Sequence, residues 1–391
     1  MEGGVAEAVV IGGMVLDINV TPSSSTKPRT TTPGKVVYAL GGVARNIAEC
    51  MSKLGSKPYM ISAVGLDMAG NLLLQHWESA GLSIEGIRRN NDIETAVIVH
   101  IFDNEGEVAA GVASVKVVEH HLTPSWIEKF KMNICTAPVI LVDANLSPVS
   151  LEASCQIADQ GNTPVWFEPV SVAKSKRVAS VVKHIRFVSP NEDELIAMAN
   201  ALSGEDTFHP IQRGINFVKL PVESLFQELK PAIWVLLEKG IEIVIVTVGS
   251  DGIFLCSKSN LGFQRLNCRE CPPNSSGGKL YKTINLCCPS NLSPMASTSK
   301  GASKLFAVHY PALSASVVRL TGAGDCFVGG TLASLCSGLD VMQSVAVGIA
   351  SAKAAVEAES NVPEQYSFKQ IADDARSVYI KRKVMFSQSM L

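Results

Sequence analysis

The segment Ile241-Glu242-Ile243-Val244-Ile245-Val246-Thr247-Val248 is an almost unbroken apolar run. A strand that is buried on both faces of a parallel sheet has this character. Comparable short apolar segments recur earlier in the chain, at Ala8 to Gly13, Pro58 to Gly65, Pro138 to Asn145, Thr163 to Val170 and Ile185 to Asn191. Helical patterns separate several of them, and Val43, Ile47 and Met51, for example, recur at helical spacing. This alternation predicts an α/β fold with a doubly wound, mostly parallel sheet flanked by helices.

Two regions interrupt the alternation, and each contains a pair of short strand-like segments. The pairs are Leu16 to Val20 with Lys35 to Leu40, and Thr95 to Phe102 with Val108 to Val112. The turn Asp103-Asn104-Glu105-Gly106 in the second pair is typical of a hairpin. We expect residues 14–40 and 92–114 to form a small antiparallel β lid, because many transfer reactions require the exclusion of water. The alternative is an edge extension of the main sheet.

The composition excludes several classes of protein. Of the 391 residues, 47% are hydrophobic and 18% are charged, so the chain can bury a large core and is not globally disordered. Lysine plus arginine (34) nearly balance aspartate plus glutamate (36), and a net charge of −2 gives no positive field for binding a nucleic acid polymer. No apolar run approaches the ~20 residues of a membrane span, so we expect no membrane partner.

The length favours a single domain over residues 1–391. Residues 258–316 contain Pro272-Pro273 and Ser275-Ser276-Gly277-Gly278 and show little periodicity. We expect this segment to be a long, partly disordered insertion. Residues 387–391 form a short C-terminal tail. Most of the ten cysteines stand singly in apolar stretches, a pattern typical of a reducing compartment.

The strongest local signal for chemistry is Thr321-Gly322-Ala323-Gly324-Asp325-Cys326-Phe327, which is followed by an apolar helical stretch. The glycines permit a tight turn, and the helix that begins there directs unpaired N–H groups at a bound anion. Asp325 at the start of this helix could accept a proton from a hydroxyl group that attacks phosphorus. The alternative is that Asp325 only caps the helix, a role that aspartate fills well.

A second glycine motif, Gly41-Gly42-Val43-Ala44-Arg45-Asn46, stands at the start of the first clear helix. Paired glycines let a ligand approach the backbone closely, and the Asn46 amide can donate and accept hydrogen bonds. Asp17 follows the first predicted strand, and a carboxylate can accept hydrogen bonds from two neighbouring hydroxyl groups. The alternatives are a plain glycine turn with a solvated asparagine, and a surface loop aspartate.

Polar residues also lie where the predicted buried strands end. They are Asp143, Asn145, Glu168, Asn191, Glu194 and the Gly249 to Gly252 turn. Ligands of open α/β sheets bind at the carboxyl ends of the strands, so this shared placement predicts a site there. Glu168 and Glu194 are candidate ligands for Mg²⁺, which prefers oxygen donors and retains part of its hydration shell.

Together these motifs resemble the PfkB, or ribokinase-like, family of sugar and nucleoside kinases over nearly the whole chain. The Gly41–Asn46 and Thr321–Asp325 stretches are similar to the family's two glycine signatures. Asn191-x-x-Glu194 is similar to its magnesium-associated motif, and Thr247-x-Gly249-x-x-Gly252 to its nucleotide-side motif. Further stretches, among them Glu168-Pro169-Val170-Ser171, resemble the group of that family that phosphorylates pseudouridine.

The resemblance implies ATP-dependent phosphorylation of the 5′-hydroxyl of pseudouridine, with ATP and Mg²⁺ as cofactors. It assigns the substrate to Asp17, Gly41, Gly42 and Asn46, with Thr95 and Asn145 as further candidates. It assigns the nucleotide to Asn191, Thr247, Gly249 and Gly252, and the metal to Glu168 and Glu194. Asp325 would be the general base, and Gly322, Ala323 and Gly324 the anion hole.

Several alternatives stay open within this resemblance. The acceptor could be ribose, fructose or another nucleoside, and a non-catalytic binding protein of the same fold is the less favoured reading. Arg319 stands where many family members carry an acidic residue, so activation by K⁺ is in question. In some members of the family the lids of two subunits pair, so a homodimer is an open alternative for this chain. Ser389-Met390-Leu391 is similar to the Ser-Lys-Leu address and favours a peroxisomal location over a cytoplasmic one.

Overall fold

The structure is a computed structural model, and it describes residues 7–26, 29–103, 108–204, 206–211, 220–258, 265, 276–290 and 305–386. The strands are β1 (Val9–Ile11), β2 (Val15–Pro22), β3 (Gly34–Gly41), β4 (Tyr59–Gly65), β5 (Ile87–Asn90), β6 (Ala96–Phe102), β7 (Val108–Ser114), β8 (Ile140–Asp143), β9 (Val165–Glu168), β10 (Ile185–Val188), β11 (Ile243–Thr247), β12 (Ile253–Ser257), β13 (Phe306–Tyr310) and β14 (Lys383–Phe386).

The α-helices are α1 (Val43–Lys53), α2 (Met68–Ser79), α3 (Lys116–His121), α4 (Pro124–Ile127), α5 (Lys131–Thr136), α6 (Pro148–Gln160), α7 (Val172–Ser175), α8 (Glu192–Ser203), α9 (Val222–Glu238), α10 (Ser276–Cys287), α11 (Ala323–Cys336), α12 (Val341–Val356) and α13 (Phe368–Lys381). Short 3₁₀ turns cover Glu128–Phe130, Lys176–Ser180, Val182–His184 and Gly249–Asp251.

A ten-stranded sheet forms the centre of the molecule, in the order β14-β13-β12-β11-β10-β9-β8-β1-β4-β5. The pairings from β11 through β5 are parallel, whereas β12, β13 and β14 pair antiparallel at one edge. The chain runs from β1 outwards to β4 and β5 and then returns to β8 on the other side of β1. The strand order therefore reverses between β1 and β8, and a crevice opens at their carboxyl ends.

The predicted α/β class with its mostly parallel sheet is confirmed. All six predicted buried strands form, and β1, β4, β8 and β11 are buried along most or all of their length. Two apolar cores lie on the two faces of the sheet, because successive side chains of a strand point to opposite faces. Val10 contributes to one core and its neighbours Val9 and Ile11 to the other.

A second sheet stands apart from the first, in the order β3-β2-β6-β7. The pairs β2–β3 and β6–β7 are antiparallel hairpin partners, as predicted, while β2 and β6 are joined in parallel. Tyr38 and Val112 of this sheet are more than half exposed. The role of the sheet as a lid stays a prediction. The predicted turn at 103–106 lies largely outside the described residues.

The described parts of segment 258–316 contain regular structure that the sequence analysis did not foresee. Ser276–Cys287 forms α10, and Phe306–Tyr310 forms β13 in the main sheet. Residues 259–264, 266–275 and 291–304 of that segment and the whole tail 387–391, including the Ser389–Leu391 tripeptide, lie outside the described residues. Among the described helices, none is both long and apolar enough to cross a membrane.

Helices α1 and α11 pack closely against each other beside the crevice. A β-carbon at Gly329 would stand 2.7 Å from Cβ of Cys50 and 2.8 Å from the Ile47 carbonyl oxygen, so only glycine permits this separation. The contact brings the first turns of both helices, with their glycine motifs, to the same edge of the sheet.

Candidate active site

The first site element is the turn from β3 into α1. Gly42 caps α1 with a φ of 97°, and a β-carbon there would lie 2.5 Å from the Gly13 carbonyl oxygen. Only glycine combines this backbone conformation with so close an approach. The turn sets the first helical residues against the end of β1, and it leaves Asn46 buried with 3% of its surface exposed.

The second element is the first turn of α11, which meets Asn46. Gly322 caps α11 in the left-handed conformation. It lies against the backbone of Asn361, whose carbonyl oxygen would be 2.2 Å from a β-carbon added at Gly322. Asp325 follows within the first turn, and Asn46 Nδ2 donates to Asp325 Oδ2 at 2.6 Å. Residues 279 positions apart in the chain are thus joined by one hydrogen bond.

The surroundings of Asp325 hold part of its population protonated near neutrality. Burial raises the pKa of this carboxyl group from 3.8 to about 6, and the charges of Asp143 and Asp17 act in the same direction. The hydrogen bond from Asn46 and the positive charge of Arg45 oppose the rise. A carboxylate with a pKa of about 6 is a stronger base than an ordinary aspartate and is still mostly ionised at neutral pH.

Asp17 lies on lid strand β2 and faces the same space. Its Oδ2 accepts a hydrogen bond from Asn361 Nδ2 at 3.3 Å, and a β-carbon at Gly41 would stand 2.2 Å from that oxygen. Burial raises the pKa of Asp17, although the Asn361 hydrogen bond and nearby cationic side chains oppose the rise. The structure therefore groups Asp17, Gly41, Gly42, Asn46 and Asp325, as the substrate assignment requires.

Beneath this group, Asp143 at the end of β8 holds the turn that follows β1. Asp143 Oδ2 accepts from the Gly13 amide and Oδ1 from the Asn145 amide, both at 3.0 Å. Asn145 is itself occupied, because Lys174 Nζ donates to its Oδ1 at 2.5 Å. Asn145 thus lies near the crevice, but its amide oxygen is bound to Lys174 rather than open to a ligand.

A cavity of about 150 Å³ adjoins Asp325 and brings the two predicted metal ligands to it. Its polar lining consists of Glu168, Ser189, Asn191, Glu194, Thr247, Gly324 and Asp325. Burial, reinforced by the negative charges of Glu194 and Asp325, raises the pKa of Glu168 well above its ordinary value. Burial likewise raises the pKa of Glu194. Three carboxyl groups adjoin this cavity, but among the described residues no three acidic, histidine or cysteine side chains are placed closely enough to hold a metal ion together.

Local structure explains the three-residue spacing of Asn191 and Glu194. They form a capping box at the start of α8, in which each side chain accepts a hydrogen bond from the other's backbone amide at 2.9 Å. One isolated bridge pairs Asn191 with Thr247, which sets the end of β11 beside the cavity. One carboxylate oxygen of Glu194 is used by the cap, and the other is left for the cavity.

Gly249, Gly252 and Thr95 are among the predicted residues that do not line this cavity. Gly249 and Gly252 shape the turn between β11 and β12, where a β-carbon at Gly252 would lie 2.0 Å from the Tyr310 carbonyl oxygen. The Thr95 hydroxyl donates to Asp67 Oδ1 at 2.6 Å and accepts from the Gly65 amide at 2.8 Å. Thr95 therefore fastens the start of lid strand β6, and its hydroxyl group is already satisfied.

Several residues that shape the site had no predicted role. Asn361 connects Asp17, the Leu40 carbonyl and the Gly322 turn. Ser189 Oγ accepts from Trp166 Nε1 at 2.8 Å and donates to Glu168 Oε2 at 2.5 Å, which orients that carboxylate. Asp143 carried a weak signal, its place at a strand end, whereas Asn361 and Ser189 belong to no motif.

Comparison with known proteins finds similarity to kinases. The model of the pfkB family carbohydrate kinases matches residues 5–272 and 298–363. The pseudouridine kinase of Arabidopsis thaliana is 50% identical over 391 residues, which covers 98% of this chain and 100% of that protein. The pseudouridine kinase of Escherichia coli is 27% identical over 63% of this chain and 71% of its own length.

Solved structures show the same fold at low sequence identity. The structure of Arabidopsis thaliana ribokinase complexed with ribose and ATP superposes with a TM-score of 0.70 at 16% identity, over 95% of this chain and 99% of that one. The ribokinase of Thermotoga maritima gives a TM-score of 0.67 at 18% identity, over 97% and 100% of the two chains.

Proposed function

This chain belongs to the pfkB family of carbohydrate kinases, and from that premise we propose that it transfers the terminal phosphoryl group of ATP to the 5′-hydroxyl of pseudouridine. Membership makes it an ATP-dependent phosphotransferase with a hydroxyl acceptor. The observation that carries the proposal is the contact of Asp325, at the head of α11, with Asn46 in the crevice where the strand order reverses.

In this proposal Asp325 is the general base. Its carboxylate takes the proton of the 5′-hydroxyl as the oxygen attacks the phosphorus, and Asn46 holds the carboxylate in place through Nδ2. The depth of the site and the neighbouring acidic groups raise the pKa to about 6, which strengthens the base without leaving it protonated at pH 7. Asp17, beside Gly41, is placed to accept hydrogen bonds from ribose hydroxyl groups.

The amide groups of the first turn of α11 supply the anion hole. The Ala323 amide donates to the Leu320 carbonyl at 3.3 Å and that of Cys326 to Gly322 at 2.9 Å, so these two are engaged within the chain. The helical geometry leaves the amides of Gly324 and Asp325 to receive negative charge. Gly324 has open space at the position of a β-carbon, which gives the phosphoryl group room to approach.

The cavity beside Asp325 fits Mg²⁺. Glu168 and Glu194 present carboxylate oxygens, the donors that this ion prefers, and the volume of about 150 Å³ accommodates an ion with several water molecules. Bound there, Mg²⁺ would neutralise charge on the phosphate groups. Ser189 orients the Glu168 carboxylate towards the cavity, while Glu194 is fixed by the cap of α8.

The assignment of pseudouridine rests on the relative that is 50% identical over its full length. Ribose, fructose and other nucleosides are the competing acceptors, and ribokinases are among the weaker matches. The test is ADP release with purified protein, ATP, Mg²⁺ and a panel of these acceptors, together with identification of the phosphorylated product. We expect the highest kcat/KM with pseudouridine and phosphate on its 5′-oxygen. A preference for ribose or uridine would refute the substrate assignment.

A further inference from the structure

A buried arginine lies next to the hydrogen bond between Asn46 and Asp325. Arg45 is 2% exposed, and its guanidinium group donates in four directions. Nε binds the Gly41 carbonyl oxygen at 2.9 Å, and Nη2 binds the Leu40 carbonyl oxygen at 2.8 Å. Nη1 pairs with Glu49, and Nη2 also donates to Asn46 Oδ1.

These contacts decide which way the Asn46 amide points. A guanidinium group has donors and no acceptor, so only the oxygen of the Asn46 amide can face Arg45. The NH₂ group must then face the other way, where it donates to Asp325 Oδ2 at 2.6 Å. The reversed amide would set its NH₂ against the guanidinium and its oxygen against the carboxylate, and both contacts would be repulsive.

Glu49 holds the guanidinium in turn. Its carboxylate, 4% exposed, accepts from Arg45, from Lys53 Nζ at 2.7 Å and from His76 Nε2 at 3.0 Å. The charges of Arg45 and Lys53, together with the hydrogen bonds from Lys53 and His76, outweigh the effect of burial and lower the pKa of Glu49 to about 2. The carboxylate therefore stays ionised over the working range of pH, and it anchors a planar donor group whose remaining bonds have fixed directions.

We propose that Arg45 is a positioning residue of the phosphotransfer reaction, fixing the amide of Asn46 so that its NH₂ group orients and supports the general base Asp325. The inference rests on the proposed function, because it concerns the same base. Arg45 also holds the last two carbonyl groups of lid strand β3, so the same side chain places Gly41 and Gly42 for the ribose. Arg45 thereby stabilises both the end of strand β3 and, through Asn46, the position of Asp325.

The positive charge of Arg45 gives the proposal a readout that simple loss of packing would not change. Several charged groups act on Asp325: Arg45 lowers its pKa, and Asp143 and Asp17 raise it. Glu168 lies across the cavity and interacts with Asp325 unfavourably. Since Arg45 is the cation of this set, its loss raises the pKa of Asp325 and moves the acid limb of kcat/KM to higher pH.

The experiment compares Arg45→Met and Arg45→Lys with Lys53→Met as the matched control. Lys53 is the other cationic partner of Glu49 on α1, but it lies about two turns from Asn46 and contacts the Pro363 carbonyl. We expect Arg45→Met to lower kcat/KM about 10²-fold, the usual cost of a misplaced reacting group, and to shift the acid limb upwards. Arg45→Lys keeps the positive charge but loses the several fixed donors of the guanidinium group. We therefore expect kcat/KM of this variant to fall while the acid limb of its pH profile stays near the native one. Lys53→Met should keep both.

Arg45→Met leaves Glu49 buried beside fewer partners, and this variant could fail to fold. The double variant Arg45→Met/Glu49→Met removes the ion pair as a unit, a change that is often tolerated, and it should show the same loss of kcat/KM. A native kcat/KM in Arg45→Lys or in the double variant would overturn the positioning role alone. An Asp325→Asn enzyme that retains its activity would instead overturn the proposed function.

Discussion

Replacing Asp325 by asparagine should remove activity and at the same time stabilise the fold. Asparagine has nearly the same shape and can still accept a hydrogen bond from Asn46 Nδ2, so the geometry of the crevice is retained. It cannot take a proton, and the loss of a general base typically costs about 10²–10⁴ in rate. It also removes a negative charge that lies close to Asp17 and Asp143.

The size of the stabilisation follows from the pKa of Asp325. The interval between its ordinary value of 3.8 and about 6 is equivalent to about 3 kcal/mol of folding free energy, at 1.36 kcal/mol per pH unit. Because the folded protein binds this proton more tightly than the unfolded chain, ionisation destabilises the native enzyme as pH rises from 3.8 through 6. The advantage of the asparagine variant is therefore complete above about pH 6 and disappears as the pH falls towards 3.8.

Urea unfolding of both proteins at pH 7.5 and at pH 4.5, followed by circular dichroism, measures this difference. We expect a higher midpoint for Asp325→Asn at pH 7.5, a smaller gap at pH 4.5, and loss of ADP release at both. Equal midpoints at pH 7.5 would refute the burial argument, and substantial activity in the variant would refute the role of Asp325. Asp373→Asn, a change at an exposed carboxylate on α13, is the control for the loss of a charge as such.

Three further changes test other parts of the site. Gly322→Ala would force a β-carbon to 2.2 Å from the Asn361 carbonyl at a φ of 87°, so we expect about 2–4 kcal/mol of destabilisation, measured by urea unfolding, and lower activity. Glu168→Gln should raise the Mg²⁺ concentration for half-maximal ADP release about 10–100-fold, as weakened metal sites do, and an unchanged Mg²⁺ dependence would contradict its role. Exchange of KCl for NaCl at constant ionic strength should leave kcat/KM unchanged, because Arg319 Nη1 already binds the Glu359 carbonyl at 2.8 Å and supplies a fixed positive charge; clear activation by K⁺ would contradict this reading.

The parallel part of the sheet could be predicted because its strands carry a local signature. A strand covered on both faces must be apolar throughout, and the segments around β1 and β11 satisfy that condition without reference to the rest of the chain. The strand β5, with the sequence Ile87-Arg88-Arg89-Asn90, lies at the sheet edge and three of its four residues are polar, so it has no such signature. The strand β13 was hidden by the turn-forming residues that surround it in the segment 258–316.

The site shows the same division between local and distant information. Gly42, Asn46 and Asp325 lie in two glycine motifs at helix starts, so the local sequence was enough to predict them as site residues. Asn361 has no motif, and its contact with Asp17 joins residues 344 positions apart. The orientation of the Asn46 amide depends on a neighbour, Arg45, whose burial is set by the packing of α1 and not by its residue type.

The lid is attached to the body of the enzyme by four passages of the chain, because its strands come in two separate pairs. A sheet attached by a single hairpin could rotate about that hairpin. A sheet attached at four points can move only if all four attachments move together. Gly41-Gly42 forms one of these attachments and Thr95 another, so a movement of this sheet would also shift the groups proposed to bind the ribose. Changes of length are therefore best tolerated away from these attachments, near residues 23–26 and 29–33.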